Sequence, residues 1–218
     1  MITEKIGIFG GTFNPIHEGH IKAIIEVQKI FALDRVLLIP SYIPPHKETP
    51  DIAPPLSRLH MVKLAVAPYP RFIPSAVEID AKGRSYSILT LQKLKRRYPD
   101  ALMFFILGVD AFLEINTWRD YEKVLEQCHF IVISRPGYDL QDAKKVLREK
   151  YAERIVQVWD PPILDSKKKQ GFKIFLLSIP SKDVASKEIR QKVKKGESIS
   201  GLVAGSVEKY IRTNKLYQ

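Results

Sequence analysis

Apolar and polar positions run along this chain with two alternating periods, and the switches between them mark out its elements. Ile6, Ile8 and Phe9 form a compact apolar run that reads as a buried strand. Residues 18–31 change to a helical period, with Ile21, Ile24, Ile25 and Val27 among the apolar positions. Residues 35–40 (RVLLIP) return to an unbroken apolar run, the pattern of a strand covered on both faces. The alternation continues with a helix over 56–66, a short strand within 72–79 and a helix over 85–98. ALMFFILG at 101–108 is the most apolar run and predicts a central strand. Beyond it the pattern predicts a strand at 130–134, a charged helix over 140–151, and short strands at 155–158 and 174–177. A basic helix over 186–195 and a closing helix within 201–214 complete the chain, with no internal repeat. Strands alternating with helices, most of them continuously apolar, argue for an α/β doubly wound fold with a parallel sheet.

The breaks in the pattern carry the chemistry. IGIFGGTFNPIHEGH, residues 6–20, reads as a strand, a glycine turn and the first turn of a helix. Gly10 and Gly11 allow a sharp bend and a close backbone approach to a ligand. A helix beginning near Pro15 puts His17 and His20 on one face. Free N–H groups and the helix dipole favour phosphate at such a place. Alone, the two histidines could equally be a metal half-site or surface residues.

Residues 41–55 hold five prolines, which make a stiff loop that either presents His46 and Lys47 or merely connects. Ser85, Ser87 and Thr90 gather at one helix start, and Gly108 and Asp110 close the central strand. Ligands bind off the carboxyl ends of parallel strands, although Asp110 could simply cap the next helix. Arg135, after the following strand, falls on the same edge. Trp118, in a polar setting, is either a lid over the core or a stacking platform.

Composition narrows the class. With 218 residues and 45% hydrophobic content, one sizeable core is the default. A single cysteine, Cys128, excludes an internal disulfide and suits a reducing compartment; it reads as buried packing. No run approaches the length of a membrane span and no signal-peptide core is present, so a cytoplasmic protein is expected. The net charge of +11 concentrates in residues 166–195, where ten Lys or Arg face two acids. Little aromatic interleaving accompanies them, which favours a solvated face or small anionic ligands over nucleic acid.

The 6–20 stretch is neither GxGxxG nor GxxxxGK[ST]. GGTFNPIHEGH resembles the signature of the nucleotidyltransferase superfamily that shares HxGH with class I aminoacyl-tRNA synthetases. Along nearly its full length the chain resembles the bacterial nicotinate mononucleotide adenylyltransferases. The matching pieces are PPHK at 44–47, SYSILTL at 85–91, GVD at 108–110, Trp118, ISRPG at 133–137, and Ile189-Arg190.

That resemblance implies a Rossmann-like HxGH nucleotidyltransferase fold in one domain, with a core over about residues 5–180 and a helical part from about 181 to 218. It implies adenylyl transfer from ATP to nicotinate mononucleotide in NAD biosynthesis. His17, His20 and Arg190 would be catalytic. Gly10, Gly11, Thr12, Phe13, Gly108, Asp110, Arg135, Ser186 and Lys187 would join His20 in binding ATP. His46, Lys47, Ser87 and Trp118 would hold the mononucleotide. Mg²⁺ is expected on the triphosphate, without a dedicated protein cage and without a tightly bound organic cofactor; a homo-oligomer is compatible with all of this. One departure stands out. Where the family has ISSTxIR, this chain has Val184-Ala185-Ser186-Lys187-Glu188-Ile189-Arg190. Ser186 reads as the N-cap of the basic helix. Two other readings stay open: a different adenylyltransferase of the superfamily (amide-preferring or pantetheine-phosphate type), and a non-catalytic RNA-binding protein on the same fold.

Overall fold

The computed structural model describes residues 4–44, 51–158, 171–180 and 184–218. Its strands are β1 Lys5–Gly11, β2 Arg35–Pro40, β3 Phe72–Pro74, β4 Leu102–Gly108, β5 His129–Ile133, β6 Ile155–Val158 and β7 Ile174–Leu177. They form one parallel sheet in the order β3-β2-β1-β4-β5-β7-β6. The helices are α1 Glu18–Phe31, α2 Pro55–Val66, α3 Ser87–Arg97, α4 Val109–Phe112, α5 Tyr121–Leu125, α6 Glu149–Ala152, α7 Ser186–Lys194 and α8 Gly205–Thr213. No described helix is long and apolar enough to cross a membrane.

The period-two alternation of the strands divides the core. Phe9, Val36, Leu38, Phe104 and Ile106 pack with α1, α2, α7 and α8 on one face. Ile6, Ile8, Leu37, Met103, Phe105 and Phe130 pack with α3, α4, α5 and α6 on the other. Covering both faces explains why the strands carry few polar residues. Cys128 is buried in the second layer, and burial pushes its thiol up to about 12.

The chain runs outward from β1 to β3, then returns to β4 on the other side of β1. This reversal opens a crevice between the carboxyl ends of β1 and β4, the position where such sheets take ligands. Register sets β1 beside β4, with Phe9 opposite Ile106, and β4 beside β5, with Gly108 opposite Ile133.

Two helices differ from the pattern. The charged helix over 140–151 is a 3₁₀ turn, Leu140–Lys144, followed by the separate α6. Asp139 accepts from the Gln141 N–H and starts the tight turn. The buried Tyr151 hydroxyl then anchors α6 to Glu122 and Glu126. Helix α3 starts at Ser87 because Ser85 is engaged elsewhere: its N–H donates to the Ile43 carbonyl, and its Oγ accepts from the Tyr42 N–H.

Candidate active site

The glycines do not make the bend between β1 and α1. Gly10 and Gly11 continue the strand, and the chain turns at Phe13, whose φ is 48°. A non-glycine residue in that region costs about 1–2 kcal/mol, and packing offsets it: the Phe13 ring lies 5.6 Å from Phe9 and 5.3 Å from His20. A Cβ on Gly11 would come within 3.2 Å of the Phe13 ring. The turn is fastened from below by Arg58, which is fully buried in α2. Its guanidinium donates to the carbonyls of Thr12 at 2.8 Å, Tyr42 at 3.0 Å and Ala53 at 2.9 Å. Burial lowers Arg58 to about 10, opposed by Tyr217 and Glu78, so it stays charged at neutral pH. The signal for Arg58 in the sequence is its place three and four positions before Met61 and Val62, on the apolar stripe of α2.

Helix α1 begins at Glu18, not near Pro15, and His17 is its N-cap. The His20 N–H donates to His17 Nδ1, and the His17 N–H donates to His20 Nδ1 at 3.2 Å. The rings stack with centroids 3.6 Å apart. With Nδ1 accepting in both, each neutral ring carries its proton on Nε2. Burial, and after it the Arg135 guanidinium, push His17 down to about 3.

Across the crevice, Arg135 Nε stands 3.6 Å from Asp110 Oδ1. Both atoms are buried and lack a hydrogen bond to any described residue. Asp110 lies in the first turn of α4, but Gly108 is the N-cap, so capping does not account for Asp110.

Helix α7 docks onto the same turn. Its N-cap is Ala185; Ser186 is instead the first helical residue, because its Oγ donates to the Pro15 carbonyl at 2.9 Å. Arg190 Nη1 donates to the Asn14 carbonyl at 2.9 Å. Asn14 Oδ1 accepts from the Tyr217 hydroxyl at 2.8 Å, a contact that no local sequence signal announces.

These groups line two adjoining cavities. The larger, about 660 Å³, is bordered by Gly10–Phe13, His17, His20, Gly108, Asp110, Arg135, Ser186, Lys187 and Arg190. Every residue that the sequence assigned to ATP therefore borders one cleft. The smaller, about 250 Å³, contains Ser87 and Trp118, together with Tyr86, Glu78, Arg119 and Pro44. Trp118 meets Phe105 edge-on at 6.2 Å, so it both packs on the core and borders the cavity. His46 and Lys47 lie outside the described residues; Pro44 brings the chain to the smaller cavity just before them. Burial raises the Glu78 carboxyl above its usual range, against the hydrogen bonds from Thr90 and Ser85. Gly10, Gly11, Thr12, Leu107 and Ala111 border both cavities. No group of three or more metal-ligating His, Cys, Asp or Glu occurs among the described residues.

Comparison with known proteins shows the family. Residues 8–192 match the family described as cytidylyltransferase-like. A protein of Citrifermentans bemidjiense named a probable nicotinate-nucleotide adenylyltransferase is 41% identical over 213 residues, covering 98% of each chain. One of the same name from Desulfatibacillum aliphaticivorans is 40% identical over 221 residues, covering 98% of this chain and 99% of its own. The solved nicotinic acid mononucleotide adenylyltransferase of Plasmodium falciparum, complexed with NaAD, superposes with a TM-score of 0.75. It covers 98% of this chain and 97% of its own at 18% identity, a likeness of fold. Matched from end to end, the chain belongs to the cytidylyltransferase-like family and, within it, to the nicotinate-nucleotide adenylyltransferases.

Proposed function

We propose that this protein transfers the adenylyl group of MgATP to nicotinate mononucleotide, forming deamido-NAD and pyrophosphate. The observation that carries this reading is the pair of cavities that meet along Gly10–Thr12. Two nucleotides lying one in each would bring a phosphate oxygen and an α-phosphorus together over the glycine strand end. A phosphate oxygen of the mononucleotide attacks the α-phosphorus, a new P–O bond forms, and the bond to the β-phosphate breaks with its electrons leaving on pyrophosphate. The nucleophile is already anionic, so catalysis reduces to placement and stabilisation of developing charge.

His17 and His20 would act as Nε2–H donors to the triphosphate, with the backbone N–H groups of Gly11, Thr12 and Phe13 beside them. Arg190 and Lys187 would receive the β- and γ-phosphates, and Asp110 the ribose, with Arg135 holding Asp110 in place. Trp118 would stack on the pyridine ring and Ser87 would sit at its carboxylate. His46 and Lys47 would take the mononucleotide phosphate. Mg²⁺ enters as part of the MgATP substrate, held by phosphate oxygens.

The test is pyrophosphate release from MgATP with nicotinate mononucleotide, nicotinamide mononucleotide and 4′-phosphopantetheine as acceptors. Strongest turnover with the nicotinate form is expected. Equal turnover with the amide removes the acid preference, and activity with phosphopantetheine alone moves the protein to another branch. Tight RNA binding with a steep salt dependence and no turnover would replace the enzymatic reading.

A further inference from the structure

Asn14 is a junction between segments far apart in sequence. Only 5% exposed, it donates through Nδ2 to the Asp51 carbonyl at 2.9 Å. Its Oδ1 accepts from the Ala53 N–H at 3.0 Å and from the Tyr217 hydroxyl at 2.8 Å, 203 residues away. Its own carbonyl accepts from Arg190 Nη1 at 2.9 Å. The side chain is thus held at three points, and these fix the peptide plane whose carbonyl holds the arginine.

Arg190 itself is loosely tied. A guanidinium has five N–H donors in a fixed fork. Here Nη1 meets Asn14, while Nε is buried without a hydrogen bond to any described residue. Tethered by its own side chain at Nε and by a hydrogen bond at Nη1, the fork can still swing, so its aim into the larger cavity depends on where the Asn14 carbonyl points. Tyr217 suits the task of fixing that carbonyl. Its phenol is half-buried beside the guanidiniums of Arg190 and Arg58, and desolvation keeps it a neutral donor even though both cations favour its ionisation. A carboxylate in that place would fix Asn14 less directly and cancel charge needed in the cleft.

We infer that Tyr217 is a positioning residue for Arg190, acting through Asn14 to aim the guanidinium at the leaving pyrophosphate. The inference rests on the adenylyl-transfer reading for the identity of the leaving group. It goes beyond packing of the segment after α8 against the core, which alone would affect stability and not the arginine.

A double-mutant cycle separates the two. Tyr217→Phe keeps the ring and leaves Asn14 Oδ1 bonded to the Ala53 N–H, so no buried acceptor is orphaned. Tyr217→Phe, Arg190→Ala and the double variant are compared with wild type in kcat, in both KM values, and in the affinity for magnesium pyrophosphate measured by calorimetry. Tyr217→Phe should lower kcat and weaken pyrophosphate about three- to tenfold, the range a single neutral hydrogen bond supplies, with the mononucleotide KM unchanged. In the Arg190→Ala background the same substitution should have no further effect on either quantity. Equal losses in both backgrounds, or a lowered melting temperature alone, overturn the positioning role. Where Arg190→Ala leaves too little turnover to measure, the pyrophosphate titration decides. If wild type releases no pyrophosphate with any acceptor yet its pyrophosphate affinity shows the non-additivity, the transfer reading falls and the positioning role stands.

Discussion

Arg135 and Asp110 can approach each other only because residue 108 has no side chain. A Cβ on Gly108 would lie 2.2 Å from Asp110 Oδ1 and 2.9 Å from Arg135 Nε. The φ of Gly108 is −72°, ordinary for any residue, so backbone freedom is not what the glycine supplies. Gly108→Ala should therefore fold normally while displacing both charged groups. Loss of a charge-assisted hydrogen bond costs about 1.5–3 kcal/mol, so the ATP KM should rise roughly tenfold or more. The mononucleotide KM should change little. An unaltered ATP KM would remove the Asp110–Arg135 pair from the nucleotide site.

The histidine pair allows a cleaner test than alanine substitution alone. His17→Ala removes both a ring donor and a helix cap, and the cap is worth about 1 kcal/mol of stability. His17→Ser retains a capping oxygen and loses only the ring. His17→Ser and His20→Ala should each lower kcat by the equivalent of about 2.7–4 kcal/mol, as for other preorganised donors. Circular dichroism should show the fold intact. Near-normal kcat in both variants would make the pair a structural cap and nothing more.

Much of this site could be read from the sequence because its residues sit at strand ends and helix starts, which local patterns mark. The apolar run 101–108 and the glycine that ends it locate the crevice, and HxGH locates its opposite wall. What escaped depends on contacts between distant segments. Arg58 looks like a surface residue of an ordinary helix until Thr12, Tyr42 and Ala53 converge on it. Tyr217 is one tyrosine among nine until α8 brings it to Asn14. Gly10-Gly11 points to a bend at the glycines because glycine is the usual solution, whereas here aromatic packing holds a phenylalanine at the turn. Residue type marks Ser186 as a cap, but its hydroxyl donates to the Pro15 carbonyl.

Two buried histidines give the stability a definite pH dependence. His17 is lowered to about 3 and His129 to about 4, in the latter case by burial and then by Lys173. The unfolded chain binds protons near 6.5 where the folded one does not. Between those values the unfolded state therefore holds more protons, and stability rises with pH. The contribution is complete above about pH 6.5 and is lost as pH falls, at up to about 1.4 kcal/mol per unit for each group. Glu78, raised by burial, works in the opposite sense. His129→Gln should flatten the slope of urea-unfolding free energy between pH 6.5 and about 5. A slope that is the same in wild type and variant would contradict a neutral, buried His129.

Trp118 borders the smaller cavity while its edge packs on Phe105. Stacking beyond area burial is worth about 0.5–1.5 kcal/mol, so Trp118→Ala should raise the mononucleotide KM about two- to tenfold. Trp118→Phe should recover most of that loss, and the ATP KM should stay put. A drop in melting temperature without a selective KM effect would leave Trp118 as a core lid.

Lys187, with Ala185, is where residues 184–190 differ from the ISSTxIR pattern of the family that the sequence resembles, and it stands at the edge of the larger cavity. It is exposed, occupies the second position of α7, and borders the larger cavity with Arg190 three residues on. Residues three apart on a helix share a face, so both cations border the same part of the cleft. Lys187 would then supply a point charge on the β- or γ-phosphate. Lys192 is the natural control, since its Nζ pairs with Glu197 at 3.2 Å. Lys187→Ala should raise the ATP KM or lower kcat, Lys187→Thr should restore part of the loss, and Lys192→Ala should be nearly silent. The comparison needs low and moderate salt, because a diffuse basic face is screened over about 10 Å at 0.1 M ionic strength and a bound phosphate contact much less. Similar behaviour of Lys187→Ala and Lys192→Ala at both salts would mean that the lysine acts only through the general field of the basic cluster.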